Sequence, residues 1–251
     1  MAAAYDTYDY LSYWLGRGYE HKAEVAAVKD LLAKIKSLKT ILEVGAGFGR
    51  LVGSYSFRAK KVIITDQSSK LLKIARDRFP DKKYKFIHSS IENLPVRVRS
   101  GTIDLVVMVR VIHHIGKLDE SIEIVRRMLK NKGYFILEYP NKRNLKAVLI
   151  EFFQGNFTFF SDILTKDLRS KRSLRLNALP FFNYHPHRIE KLLIDHNFEI
   201  LEKRSVSNLR SSPLKKALST HTLISIEKML QKPLSYLSVG PSMFILARKM
   251  G

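Results

Sequence analysis

Short aliphatic runs alternate with amphipathic segments through most of the chain. Apolar, β-branched stretches at 40–44, 61–65, 84–88, 102–109 and 134–139 predict strands, and the segments 49–57, 68–79 and 117–130 predict helices between them. Two more strands, 198–206 and 243–247, follow a helix at 186–196. Such alternation predicts an α/β fold with a doubly wound, mostly parallel sheet. The run at 102–109 is apolar on both faces, as a central parallel strand must be. Ahead of the first strand, 20–36 reads as a helix with Val25, Val28, Leu31, Leu32 and Ile35 on one face, and 5–20 is an aromatic leader containing Tyr5, Tyr8 and Tyr10. Two regions break the pattern. Residues 145–180 hold Phe152, Phe153, Phe157, Phe159 and Phe160, then a basic tract of Lys166, Arg169, Lys171, Arg172 and Arg175. Residues 207–240 are far longer than a hairpin loop and predict a helix over 214–230. With no repeat or low-complexity linker, 1–251 reads as one domain, with 1–37 at its N-terminus and 145–180 and 207–240 as insertions.

The junction after the first strand carries the chemistry. Glu43 and Val44 lead into Gly45, Ala46, Gly47, Phe48 and Gly49. A strand that turns on glycines into a helix exposes a row of backbone N–H groups and lets a ligand approach the main chain. The dinucleotide fingerprint wants its third glycine or alanine where this chain has Arg50. The second strand ends in Asp66, 21 residues after Gly45, where nucleotide-binding α/β folds place an acid on ribose hydroxyls. Gln67 beside it would border an adenine ring.

The acid on the strand, with glycines spaced G-x-G-x-G, resembles motif I of the class I S-adenosylmethionine-dependent methyltransferases. Asp66-Gln67-Ser68-Ser69-Lys70-Leu71-Leu72 is similar to the next motif of that superfamily, and the resemblance runs from about residue 38 to 141. It is closest to the "type 11" group that includes ubiquinone and menaquinone methyltransferases. It implies a Rossmann-like sheet of seven strands whose last is antiparallel, with S-adenosylmethionine as cofactor and S-adenosylhomocysteine as product. Residues 88–95 resemble the loop G-D-A-E-N-L-P, with Ser90 where the family has the aspartate that meets the adenine amino group. The Ser90 hydroxyl or the Ile91 backbone would have to serve instead. Val109 and Arg110, ending the fourth strand, would reach the cofactor with their backbone. Similar enzymes fold an N-terminal leader over the cofactor, which makes Tyr13, Trp14, Arg17 and Tyr19 lid candidates. Phe157 and Phe160 of the insertion after the fifth strand are lid candidates on the acceptor side.

Composition narrows the chemistry. The chain has no cysteine. That excludes iron–sulfur radical chemistry and the cysteine-nucleophile route to pyrimidine C5 methylation. Its net charge is +21. Residues 1–125 hold 21 Lys and Arg against 14 Asp and Glu, and residues 126–251 hold 23 against 9, so the second half carries two-thirds of the excess. Such a field attracts RNA, anionic membrane surfaces or anionic small molecules. No basic, apolar leader reads as a signal peptide, and no apolar run approaches a membrane span, so the expectation is a cytoplasmic protein.

Methyl transfer from a sulfonium mostly requires alignment of the nucleophile and exclusion of water, with a base only where a proton must leave early. His114, Tyr139 and His185 are the candidate bases; each competes with a packing role. His185-Pro186-His187 has no acidic cluster beside it to make a metal site. The fourth strand is not followed by the (D/N)-P-P-(Y/F) of amino-methylating enzymes, and the acidic cluster of cation-dependent catechol-type enzymes is missing. The expected reaction is O-, N- or C-methylation of a small-molecule acceptor, amphiphilic or anionic. An RNA methyltransferase, a non-catalytic S-adenosylmethionine-binding module and a NAD(P)-linked enzyme are the alternatives.

Overall fold

A computed structural model of the protein describes residues 9–175 and 178–251. Tyr5 and Tyr8 of the leader lie outside the described residues. Nine strands form among the described residues: β1 (Thr40–Val44), β2 (Lys61–Asp66), β3 (Tyr84–His88), β4 (Ile103–Met108), β5 (Leu129–Pro140), β6 (Lys166–Asp167), β7 (Phe182–Asn183), β8 (Phe198–Val206) and β9 (Ser242–Lys249). Seven make one sheet in the order β3-β2-β1-β4-β5-β9-β8, and β6 pairs with β7 apart from it. The strands from β1 to β5 pair in parallel, and β9 runs antiparallel to both neighbours. The expected sheet, antiparallel last strand included, is therefore present.

Helices cover both faces. One apolar layer packs Leu42, Val106 and Leu137 of the sheet against Ile122 and Val125 of the Leu118–Met128 helix and Ile189 and Leu193 of the Pro186–Asp195 helix. The other packs Ile41, Val107 and Leu246 against the Gly18–Leu32 helix and Leu223 of the Thr220–Leu237 helix. Alternate residues of a strand point to opposite faces, so neighbours such as Ile41 and Leu42 serve different layers.

Several element boundaries differ from expectation for identifiable reasons. The helix expected at 49–57 is only Val52–Tyr55 followed by a 3-10 turn at Ser56–Arg58, because Gly45, Gly47 and Gly49 all hold positive φ and keep the chain out of a helix until they are passed. The N-terminal helix ends at Leu32, and Ala23 and Ala27 join Val28, Leu31 and Leu32 on its buried face, with Val25 half-buried beside them. Small side chains there allow close approach. β5 begins at Leu129, with Lys132 at φ 60 before Gly133, and the pairing with β4 shifts register between Ile103 and Leu105. The single helix expected over 214–230 is two, Ser212–Ala217 and Thr220–Leu237. Ser219 caps the second by accepting from Thr222 N at 3.1 Å, and that helix continues through Pro233. A short β6–β7 ribbon, absent from the expected elements, pairs the basic insertion with the residues just after it.

Candidate active site

β1, β2 and β4 end level: Val44 pairs with Thr65 on one side and Met108 on the other. The chain order of the strands reverses here, β1 being followed by β2 on one side while β4 lies on the other. Loops leaving such a switch point diverge, and the crevice between them is where open α/β sheets bind ligands. Gly45, Gly47 and Gly49 have φ of +67°, +56° and +76°. A β-carbon on Gly45 would sit 2.3 Å from Val111 Cγ2, so the residue must be glycine on two counts. Asp66 fastens the loop: its Oδ2 accepts from Gly47 N at 2.7 Å and its Oδ1 from Ser68 N at 2.7 Å. Ala46 N donates to Thr65 O at 2.9 Å, completing the tie between the two strand ends.

The crevice above this loop is lined by seven of the residues singled out in the sequence: Gly45, Gly47, Asp66, Gln67, Ile91, Arg110 and His114. Tyr10, Ser89, Glu92 and Val111 line it too and were missed. Tyr10 had a signal, its place in the aromatic leader; its ring lies 3.5 Å from where a Gly47 β-carbon would be. Ser89 and Glu92 are the neighbours of the expected Ser90, whose own hydroxyl accepts from Asn93 Nδ2 at 3.3 Å. A slip of one residue in a short loop exchanges which side chain faces the ligand.

Arg110 adopts φ 60, an uncommon conformation for a side chain of its size. Glu138 supports it by accepting from Arg110 N at 2.7 Å. The guanidinium turns to the leader: Nε donates to Glu24 Oε1 at 2.7 Å and Nη1 to the Tyr13 hydroxyl at 3.4 Å. Arg50 donates to the other Glu24 oxygen. Trp14 lies against both guanidiniums, 3.7 Å from Arg50 Cζ and 4.8 Å from Arg110 Cζ to its ring centroid. Burial pushes the Glu24 carboxyl up, but the Arg110 and Arg50 charges outweigh it and hold it below the ordinary carboxylate value. Tyr13 stacks on Tyr10 at 5.8 Å, and Arg17 Cζ lies 4.1 Å from the Tyr13 centroid. Tyr13, Trp14 and Arg17 thus join one aromatic–cationic cluster over the glycine loop.

Other candidates lie elsewhere. Glu43 does not line the crevice; it is buried beneath the loop, where the Tyr55 hydroxyl donates to it and burial pushes its carboxyl up to about 7. Ala46, Phe48, Gly49 and Val109 are buried under the loop and at the strand end, supporting the lining without forming it. Tyr19 is no lid wall: its hydroxyl donates to Glu227 Oε2 at 2.6 Å and accepts from Leu209 N at 2.9 Å, tying the N-terminal helix to the 220–237 helix. Phe157 and Phe160 are 69% and 50% exposed and do not line the crevice.

The three candidate bases separate. Tyr139 is fully buried among core residues, and burial raises its hydroxyl well above the ordinary value. It alternates away from the crevice. His185 caps the 186–195 helix, its Nδ1 accepting from His187 N at 3.2 Å, and its Nε2 meets Phe160 O at 3.2 Å. His114 lines the crevice, with Nδ1 2.6 Å from Pro180 O. A carbonyl only accepts, so Nδ1 carries the proton and Nε2 the lone pair. Burial lowers the ring below the ordinary histidine value, although the Pro180 hydrogen bond opposes this.

This donor set suits S-adenosylmethionine. Bare glycine backbone accommodates the methionine part, Asp66 can accept from a ribose diol, and Tyr10 offers an aromatic face to a sulfonium. No phosphate cradle is needed or present at the third fingerprint position, which Arg50 occupies.

A family model described as "Methyltransferase domain" matches residues 42–137, the segment from β1 through most of β5. The demethylmenaquinone methyltransferase of Chlamydia felis is 27% identical over 175 residues, covering 66% of this chain and 74% of that protein. The highly reducing polyketide synthase sthA of Phaeosphaeria nodorum is 32% identical over 121 residues, covering 45% of this chain but 4% of that protein. The chain therefore spans a small fraction of that larger relative. An S-adenosylmethionine-dependent methyltransferase of Mesorhizobium loti superposes with a TM-score of 0.62 at 16% identity, covering 92% of this chain and 100% of that one. With the glycine loop, the acid at the end of β2 and the strand order on the page, residues 42–137 match the methyltransferase-domain family and the chain has the fold of S-adenosylmethionine-dependent methyltransferases.

Proposed function

We propose that the protein transfers a methyl group from S-adenosylmethionine to a small, amphiphilic organic acceptor. The observation that carries this is the crevice lining, which brings the glycine loop, Asp66 and Tyr10 together with His114, Ile115 and Leu179. The last three, two apolar side chains and one basic nitrogen, are assigned to the acceptor end. The names of two relatives, a demethylmenaquinone methyltransferase and a polyketide synthase, support an apolar organic acceptor.

Bound S-adenosylmethionine supplies a methyl carbon already activated by its sulfonium. The chain's own part is to align, dehydrate and accept a proton. Asp66 and the glycine loop hold the cofactor end. Ile115 and Leu179 would exclude water from the acceptor end. His114 Nε2 would take the proton that an acceptor X–H gives up as it receives the methyl group the cofactor supplies. Loss of histidine basicity in His114→Gln should lower kcat by about 10²–10⁴-fold with little change in S-adenosylhomocysteine affinity. For the reading as a whole, the assay is thermal denaturation with S-adenosylhomocysteine or NADH, followed by radiolabelled methyl transfer to pools of lipid-soluble extract and RNA. Stabilisation should come from S-adenosylhomocysteine, about 2.7 kcal/mol at a hundred times its Kd, and label should enter the extract. Stabilisation by NADH alone, or label confined to RNA, would overturn it.

A further inference from the structure

Thirteen of the twenty-five exposed large apolar side chains among the described residues fall between 145 and 181. The Leu145–Phe153 helix has no buried residue although it is almost wholly apolar. Phe153 is 82% exposed and Phe157 69%, and both pack on Phe152, with ring centroids 5.8 Å and 5.1 Å apart. An apolar helix that packs no face on the body of a protein belongs against something else. The patch continues beyond the insertion. Leu145 N donates to Val239 O at 2.8 Å, which sets the start of this helix beside the end of the 220–237 helix, where Tyr236 and Leu237 are 72% and 62% exposed.

Charge identifies the occupant. The insertion's three acids are each matched, Glu151 by Lys166 and Asp167 by Arg169 within it, and Asp162 by Lys142 just ahead of it. Lys146, Lys171, Arg172 and Arg175 are exposed and make no ion pair with any described residue. Aromatic and aliphatic side chains surrounded by unmatched cations are what an anionic bilayer surface accepts, the rings entering the headgroup boundary and the cations meeting lipid phosphates and carboxylates. An RNA surface would match the cations but leave the leucines and isoleucines against water. No described helix is long and apolar enough to cross a membrane, so the contact would be one of lying on the surface. The same insertion reaches the crevice: Leu179 lines it and Pro180 O holds His114.

We infer that residues 145–175 and 178–181, with the end of the 220–237 helix, form a docking face for anionic lipid surfaces, and that the face sets the acceptor end of the crevice at the bilayer. Only the second half rests on the proposed methyl transfer. The experiment is sedimentation of the full chain with vesicles of phosphatidylcholine alone or mixed with phosphatidylserine, at low and moderate salt, alongside an S-adenosylhomocysteine thermal shift. The protein should pellet with the mixed vesicles. Lys171→Glu with Arg172→Glu should weaken partition by at least 25-fold, at about five-fold per charge removed. Phe153→Ser with Phe157→Ser should weaken it at both salt concentrations. All variants should keep the thermal shift, which separates failure of docking from failure of cofactor binding. No pelleting with anionic vesicles, pelleting unchanged by the phenylalanine pair, or a stable dimer that the phenylalanine pair dissociates would each overturn the inference.

Discussion

Asp66 fastens the glycine loop and, in the function proposed above, also accepts from the cofactor ribose, so its replacement should show both. Each carboxylate oxygen accepts a backbone N–H at 2.7 Å, from Gly47 and from Ser68. Hydrogen bonds to a charged acceptor contribute about 1.5–3 kcal/mol each. Asp66→Ala should therefore destabilise the protein by about 3 kcal/mol, a fall in Tm on the order of 6–12 °C for a chain of this size. Part of that arises because the glycine loop, with three residues at positive φ, loses its tether. Cofactor affinity should fall too, by roughly ten- to a hundred-fold, through loss of a charge-assisted contact to the ribose diol. Asp66→Asn separates the effects. Its amide oxygen keeps an acceptor for one N–H while its NH2 leaves the other without one, so stability should recover in part, whereas the charge-assisted contact to the diol stays lost. Calorimetric titration with S-adenosylhomocysteine and a denaturant melt of each variant supply the two numbers. If affinity in Asp66→Ala is unchanged while stability drops, the acid is a loop clamp only and the ribose assignment fails.

Three further outcomes follow from the geometry. Gly47→Val should abolish S-adenosylhomocysteine binding in the same titration, because a β-branched side chain cannot hold φ of +56° without strain and would crowd Tyr10. Glu24→Ala leaves Arg50 and Arg110 without their shared buried carboxylate and should cost about 3–5 kcal/mol in a denaturant melt; because the folded carboxyl lies below its ordinary value, its contribution is present above the unfolded value and is lost as pH falls through the folded one. Glu43 has the opposite sign. Its carboxyl is pushed up to about 7 by burial, so the folded state binds the extra proton between the ordinary value and pH 7, and stability falls as pH rises through that window. Glu43→Gln should flatten the slope and stabilise the ligand-free protein at pH 8 by about 3 kcal/mol; a slope unchanged in this variant would mean the carboxyl is not the titrating group.

Legibility followed locality. The sheet could be read because each strand is a short apolar run bounded by turn residues, and the order reversal followed from a family pattern concentrated in residues 38–141. The placing of Gly45, Gly47 and Asp66 at the crevice was legible for the same reason: it depends on backbone geometry within a single strand–loop unit. What sequence could not assign were side chains whose direction is set across the fold. Tyr139 lies at the expected place along β5, yet strand alternation turns it into the core, while its neighbour Glu138 turns to Arg110. Tyr19 and Glu227 are 208 positions apart and meet only because two helices pack on one sheet face. Arg50 was read solely as the absence of a third fingerprint glycine. Its guanidinium supplies the reason for that absence: a side chain there reaches Glu24 and Trp14 and fixes the leader above the crevice. A glycine at this position would lose one of the two cations that Glu24 bridges, so the residue that departs from the dinucleotide pattern is the one that ties the aromatic leader and the N-terminal helix to the glycine loop.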